Sequence, residues 1–157
     1  MASAGASVCV LVPPLAQFNA IDTAIAPFAS ETHFKQANDA MDKALAPKYW
    51  APDGTLTKDG GFVFDRMQDA ASQLMKVKSP ASAVAAAQAV VDSLLKLSVR
   101  LATDAIQYAI DHAGTAKEID AAQKEMAAAQ KELDKSNFDA AISHFGNAWD
   151  HAWKAVH

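Results

Sequence analysis

Ser82 to His112 runs for about thirty positions without a glycine or a proline. Four of its five charges, Asp92, Lys96, Arg100 and Asp104, each fall four residues after the last, and the fifth, Asp111, stands at its end. Four residues of α-helix advance about 400°, so these side chains form one slowly drifting stripe. Nearly everything else is alanine or apolar, with Val90, Val91, Leu94, Leu95, Leu97 and Leu101 at its centre. A helix with one narrow polar stripe has to be covered by other helices over most of its circumference. The pattern therefore predicts a long central helix, about 81–113, with the stripe turned to water or to a partner. No pair of strands is readable elsewhere, so the fold class is all-α: a five- or six-helix bundle around that column.

The flanks supply the other helices. Pro14 suits a first helical turn, and Leu15, Phe18, Ile21 and Ile25 follow at helical spacing as far as Pro27. Ser30 is a candidate cap for a second helix carrying Phe34, Ala37, Met41 and Leu45 inward, stopped by Pro47. Residues 47–61 read as one long loop, rich in Gly, Pro and Asp. A third helix, 62–77, carries Phe64, Met67, Ala71, Leu74 and Met75. Ser79-Pro80 then reads as a cap and helix start, and Gly114 as the stop signal of the long helix. Thr115 with Glu118 three residues on fits a capping box for a fifth helix. The sixth, after Asn137, carries Ile142, Phe145, Ala148, Trp149 and Ala152 on one face.

At 157 residues the chain is one domain by length, residues 14–157, preceded by an extended apolar arm, residues 1–13. Val8, Val10, Leu11 and Val12 make that arm a strand without an internal partner, suited to lying over the bundle or docking on another subunit. The small-residue start resembles a cleavage region, but it lacks a positive segment and a full apolar stretch. A net charge of −4 with no Lys/Arg cluster argues against a nucleic-acid surface. The four evenly spaced charges of the long helix interrupt any span of about 20 apolar residues, so no membrane span is expected. The single Cys9 cannot form an internal disulfide.

Two segments carry a resemblance. "YWAPDGTL…GGFVFD" (Tyr49 to Asp65) and "KELDKSNFDAAISHFGNAWDHAWKAV" (Lys131 to Val156) resemble all-helical modules of secreted or cell-surface proteins of bacteria and archaea. In those modules a Trp-Asp-Gly loop precedes a Val-Phe-Asp helix start, and the last helix is similar to "YDKAIDHYKKAWEHA". The likeness covers roughly residues 31–156, and the last two helices resemble a single tetratricopeptide-type hairpin. Gly146, Asn147 and Asp150 stand here in place of the family's lysines. The resemblance implies an extracellular setting and a structural or adhesive role, and it implies no catalytic residues and no cofactor.

The residues themselves offer few chemical constellations. His144 and His151 lie seven apart on one flank of the last helix, about 10 Å along its axis, too far to share an ion unaided. The ordinary reading is boundary histidines bonded to neighbours; the sharper one is a metal or haem site. Asp53, Thr55, Thr57 and Asp59 lack the terminal acid of a calcium loop and read as turn residues. Trp149 reads as core, whereas Trp50 and Trp153 are candidates for a partly exposed surface for a carbohydrate or apolar ligand. No nucleophile elbow, phosphate loop or dinucleotide fingerprint occurs. The expectation is a non-catalytic interaction module binding protein, itself included, as an oligomer or filament. Its candidate contacts are Val8, Val10, Leu11, Val12, Asp92, Lys96, Arg100 and Asp104. The alternative is a carrier of a small ligand, metal or haem in the bundle interior and along the His144/His151 flank.

Overall fold

The computed structural model describes residues 12–28 and 30–157. Among them are six α-helices: α1 Pro14–Ile25, α2 Thr32–Ala44, α3 Gly61–Leu74, α4 Ala81–Asp111, α5 Ala116–Asp134 and α6 Phe138–Val156. The all-α bundle with one long helix is as the periodicity predicts. Val8, Val10 and Leu11 of the arm lie outside the described residues.

Several ends differ from the sequence reading for local reasons. The cap of α2 is Glu31 rather than Ser30, because the Glu31 carboxylate accepts the Phe34 backbone N–H at 2.9 Å. α3 stops at Leu74, leaving Met75 at the surface. Pro80 rather than Ser79 occupies the cap of α4, with no side-chain cap bond. The capping box at Thr115 does not form. The Thr115 amide and hydroxyl instead both donate to the Ala155 carbonyl on α6, at 2.8 and 3.3 Å. Glu118 is drawn to His151.

The core lies where α3, α4 and α6 meet. Phe64, Met67, Leu94, Ile142 and Phe145 are shielded from water almost completely there, and each such side chain contributes on the order of 1.5–3 kcal/mol by leaving water. Gly146 allows α6 to approach α3, since a Cβ at that position would sit 2.8 Å from Phe64 Cβ. Ser98 is the buried polar exception, and its hydroxyl donates to the Leu94 carbonyl one turn back at 2.8 Å.

α5 packs chiefly on α6, with α1 and α2 closing the other side. Among the described residues α4 is the one helix long and apolar enough to cross a membrane. In this fold much of its apolar surface, Leu94, Leu97 and Leu101 included, is packed inward.

The long loop is folded tightly. Trp50 pairs with Leu56 in an isolated antiparallel bridge, and the Trp50 indole N–H donates to the Ala44 carbonyl at 2.8 Å. The Trp50 ring packs on Phe18 at 5.5 Å between centroids. At 7% exposure Trp50 is core, not the partly open surface the loop composition suggests.

Candidate functional site

α4 presents one uncovered side. Taking 100° per residue, Ala85, Asp92, Lys96, Val99, Thr103 and Ile110 fall within an arc of about 60°, and all six are exposed. Alanine carries little apolar area and has the highest helix propensity, so an alanine-rich helix need not be covered all round. The open side is therefore wider than the ionic seam alone. Val99 and Ile110, at 37% and 47% exposure, are apolar side chains left in solvent.

The four charges of the stripe separate into two pairs. Asp92 and Lys96 lie on the open side, and among the described residues neither forms an ion pair. The drift of the helix carries Arg100 and Asp104 round its flank, where Arg100 Nε lies 3.5 Å from Asp104 Oδ2. The Arg100 Nη1 group also donates to the Val12 carbonyl. Val12 itself is half exposed. The stripe therefore does not act as one surface: its first half is free and its second half anchors the chain entering α1.

A groove of about 750 Å³ opens on that same flank, between α4, α6 and residues 51–58. Its floor is Leu56, Leu101, Ala105 and Ala152, and its walls are Tyr108, Trp149 and Trp153. Gly60 permits the loop to press against the indole of Trp149, since a Cβ there would sit 3.0 Å from Trp149 Cζ2. Trp149, Trp153 and His157 stack in sequence along α6, with centroid distances of 5.5 and 4.1 Å. Trp153 thus stacks on both neighbouring rings.

The polar groups round the groove are mostly engaged. Asp53 Oδ1 accepts from the Thr55 amide at 3.0 Å and from the Thr55 hydroxyl at 2.6 Å. These bonds hold the Asp53 carboxyl below its ordinary range. The Thr57 hydroxyl donates to the Lys48 carbonyl at 2.6 Å. These are turn bonds, as expected for the Asp53–Asp59 segment. Sequence reasoning offered Trp153 for a ligand surface but did not assemble the groove around it, because the lining comes from four distant segments, Pro14 among them. The i, i+4, i+8 series Trp149, Trp153 and His157 was the one local signal that could have pointed to it.

His144 and His151 do share a flank, and α5 is the helix that covers it. His144 Nδ1 lies 2.7 Å from Glu125 Oε2, and His151 Nδ1 lies 2.7 Å from Glu118 Oε2. Each ring is tied to a separate carboxylate, which is the boundary arrangement. Among the described residues no cluster of three or more metal-ligating side chains occurs. Comparison with protein-family models, curated proteins and solved structures finds no match to this chain.

Proposed function

We propose that the chain is a non-catalytic helical interaction module that pairs with a second copy of itself through the open side of α4. The observation that carries the reading is the unpaired, oppositely charged couple Asp92 and Lys96 at the middle of an exposed face of small and apolar residues. A two-fold axis between these two residues would set α4 antiparallel to its copy. Asp92 then meets Lys96 of the second copy twice over, Ala89 meets Val99, and Ala85 meets Thr103. A two-fold interface uses one patch on both subunits, and small side chains let helix axes approach to about 8 Å. The engaged carboxylates of the groove, Asp53 on Thr55 and Asp104 on Arg100, favour binding over acid–base chemistry.

Charge reversal tests the pairing. Asp92→Lys or Lys96→Asp alone sets like charges opposite each other across the two-fold axis, and dimer dissociation rises at least about tenfold. The double exchange D92K/K96D restores association to within about threefold of the parent. Light scattering over a concentration series reads the result. A parent chain that stays monomeric at about 100 μM, or a double exchange that fails to restore pairing, sinks the reading.

The proposed setting is extracellular or at the cell surface, supported by the likeness of Tyr49–Asp65 and Lys131–Val156 to secreted helical modules. Immunodetection in culture medium and surface fractions checks it, and protein confined to the cytosol would remove it.

A further inference from the structure

We propose that the groove between α4, α6 and residues 51–58 is a binding site for an uncharged apolar molecule carrying a carbonyl or similar hydrogen-bond acceptor. Its volume of about 750 Å³ lies within the range of small-ligand clefts, roughly 300–1,000 Å³.

The chemistry of the lining fixes the class. Its charges are balanced: Asp104 is paired with Arg100, and Asp53 and Lys58 stand on the same rim with opposite sign. A net charge on the ligand would therefore gain nothing to offset its desolvation. The lining keeps two indole donors without a bonded partner, beside the Tyr108 hydroxyl, which can donate or accept. Trp50 places its indole N–H on a carbonyl, whereas among the described residues Trp149 and Trp153 make no such bond. The single buried polar side-chain atom lacking a partner among the described residues is Asp22 Oδ1, far from the groove in sequence. Neither indole N–H is buried without a partner among the described residues, and both belong to residues that line the cleft. A donor covered by an apolar ligand without an acceptor would be left unsatisfied at a cost of about 1–3 kcal/mol. Trp153 is a poor platform for a stacked sugar, because its ring already stacks on Trp149 and His157.

A dimethylamino-naphthyl ketone, whose emission moves to the blue when desolvated, is a direct probe for the full chain. Blue-shifted, saturable emission is expected, with affinity at least about fivefold tighter than for the same naphthalene lacking its carbonyl, or for an anionic naphthyl sulfonate. Ala105→Trp fills the cleft and weakens binding at least about tenfold, with circular dichroism confirming an unchanged helical fold. Trp153→Phe removes one donor along with some ring area, and it costs the ketone about three- to fivefold more than it costs the bare naphthalene. Equal affinity for ketone, hydrocarbon and sulfonate overturns the proposed class. Absence of binding by the full chain overturns the site and leaves the groove to residues 1–11 or to a protein partner.

Discussion

His151 Nδ1 lies 2.7 Å from Glu118 Oε2 across the seam between α6 and α5, and His144 repeats the contact with Glu125 at the same distance. Seven residues forward on α5 correspond to seven residues back on α6, as antiparallel helices in a heptad-like register require. Ala122 on α5 and Ala148 on α6 lie between the two clasps, and Ala129, Ala141 and Ala155 are buried just beyond them, with Ile119 and Met126 partly buried beside them. Ala122 and Ala129 are the buried residues of α5. Alanines bury little area, so the polar clasps weigh more in holding α5 than such pairs ordinarily do.

A double-mutant cycle on Glu125 and His144 measures that weight. Both side chains are about one-third exposed, so solvent screening limits the coupling to roughly 0.5–1 kcal/mol. Glu125→Ala is expected to cost more than His144→Ala, because the Asn147 amide also donates to Glu125, at 3.3 Å. Urea unfolding at neutral pH provides the values. Strict additivity of the two substitutions would show that the clasp contributes nothing.

Acid should loosen the same hairpin. The hydrogen bond from His151 holds the Glu118 carboxyl below its ordinary range, and bonds from Lys135 and Asn137 do so for Glu132. At Glu125 burial acts upward and is the largest single influence, but the bonds from His144 and Asn147 leave the net direction downward. A carboxyl depressed in the folded state adds stability that is present above its unfolded value, about 4.3. That stability is lost as pH falls through the lower folded value. Protection against hydrogen exchange in α5, corrected for the slower intrinsic exchange in acid, is therefore expected to fall below about pH 4.5 before protection in α3 does. Protection that falls together in both helices would refute a locally weakened α5.

The α4–α5 junction offers a gain of stability. Ala113, at φ 52°, holds the left-handed position after α4. The Gly114 amide reaches back to the Ala109 carbonyl at 2.8 Å and the Ala113 amide to Ile110 at 3.2 Å, which completes a Schellman turn. Glycine there avoids the strain of a Cβ, so Ala113→Gly should stabilise the fold by about 0.5–1 kcal/mol. Gly114→Ala should do the reverse, since its Cβ would lie 2.8 Å from the Ala109 carbonyl oxygen. Thermal unfolding of the two variants should move in opposite directions, and a shared direction would contradict this division of roles.

That junction shows what the sequence could and could not convey. The helix stop was legible at Ala113-Gly114, because the apolar periodicity ends and a glycine follows. Which of the two residues turns left-handed was not, because the choice depends on Ala155, whose Cβ lies 3.1 Å from the Cβ position of Gly114. Glu118 is a similar case: its spacing from Thr115 matches a capping box, yet a histidine 33 residues on is its partner. The long helix and the core face of α6 were readable because their signals are periodic and local. The groove, the split of the charged stripe and the burial of Trp50 arise from segments that meet only after packing. Physical chemistry acting along the chain predicted elements; contacts across the chain decided ends and sites.

At the crossing of α3 and α6 a glycine meets a buried ring. At Gly146 an added Cβ would stand 2.8 Å from Phe64 Cβ and 3.1 Å from Phe64 Cγ, and Phe64 is almost fully buried, with its ring 6.1 Å from that of Trp149. Phe64 has no solvent side to swing toward, so α3 and α6 would have to separate. Gly146→Ala gains about 1 kcal/mol of helix propensity, against roughly 1–3 kcal/mol for overpacking a closed core. The overpacking term is expected to dominate, giving a net loss of up to about 2 kcal/mol by denaturant titration. If Gly146→Ala is neutral or stabilising, the helices are free to part at this point, and the closeness of α3 to α6 is not what the glycine serves.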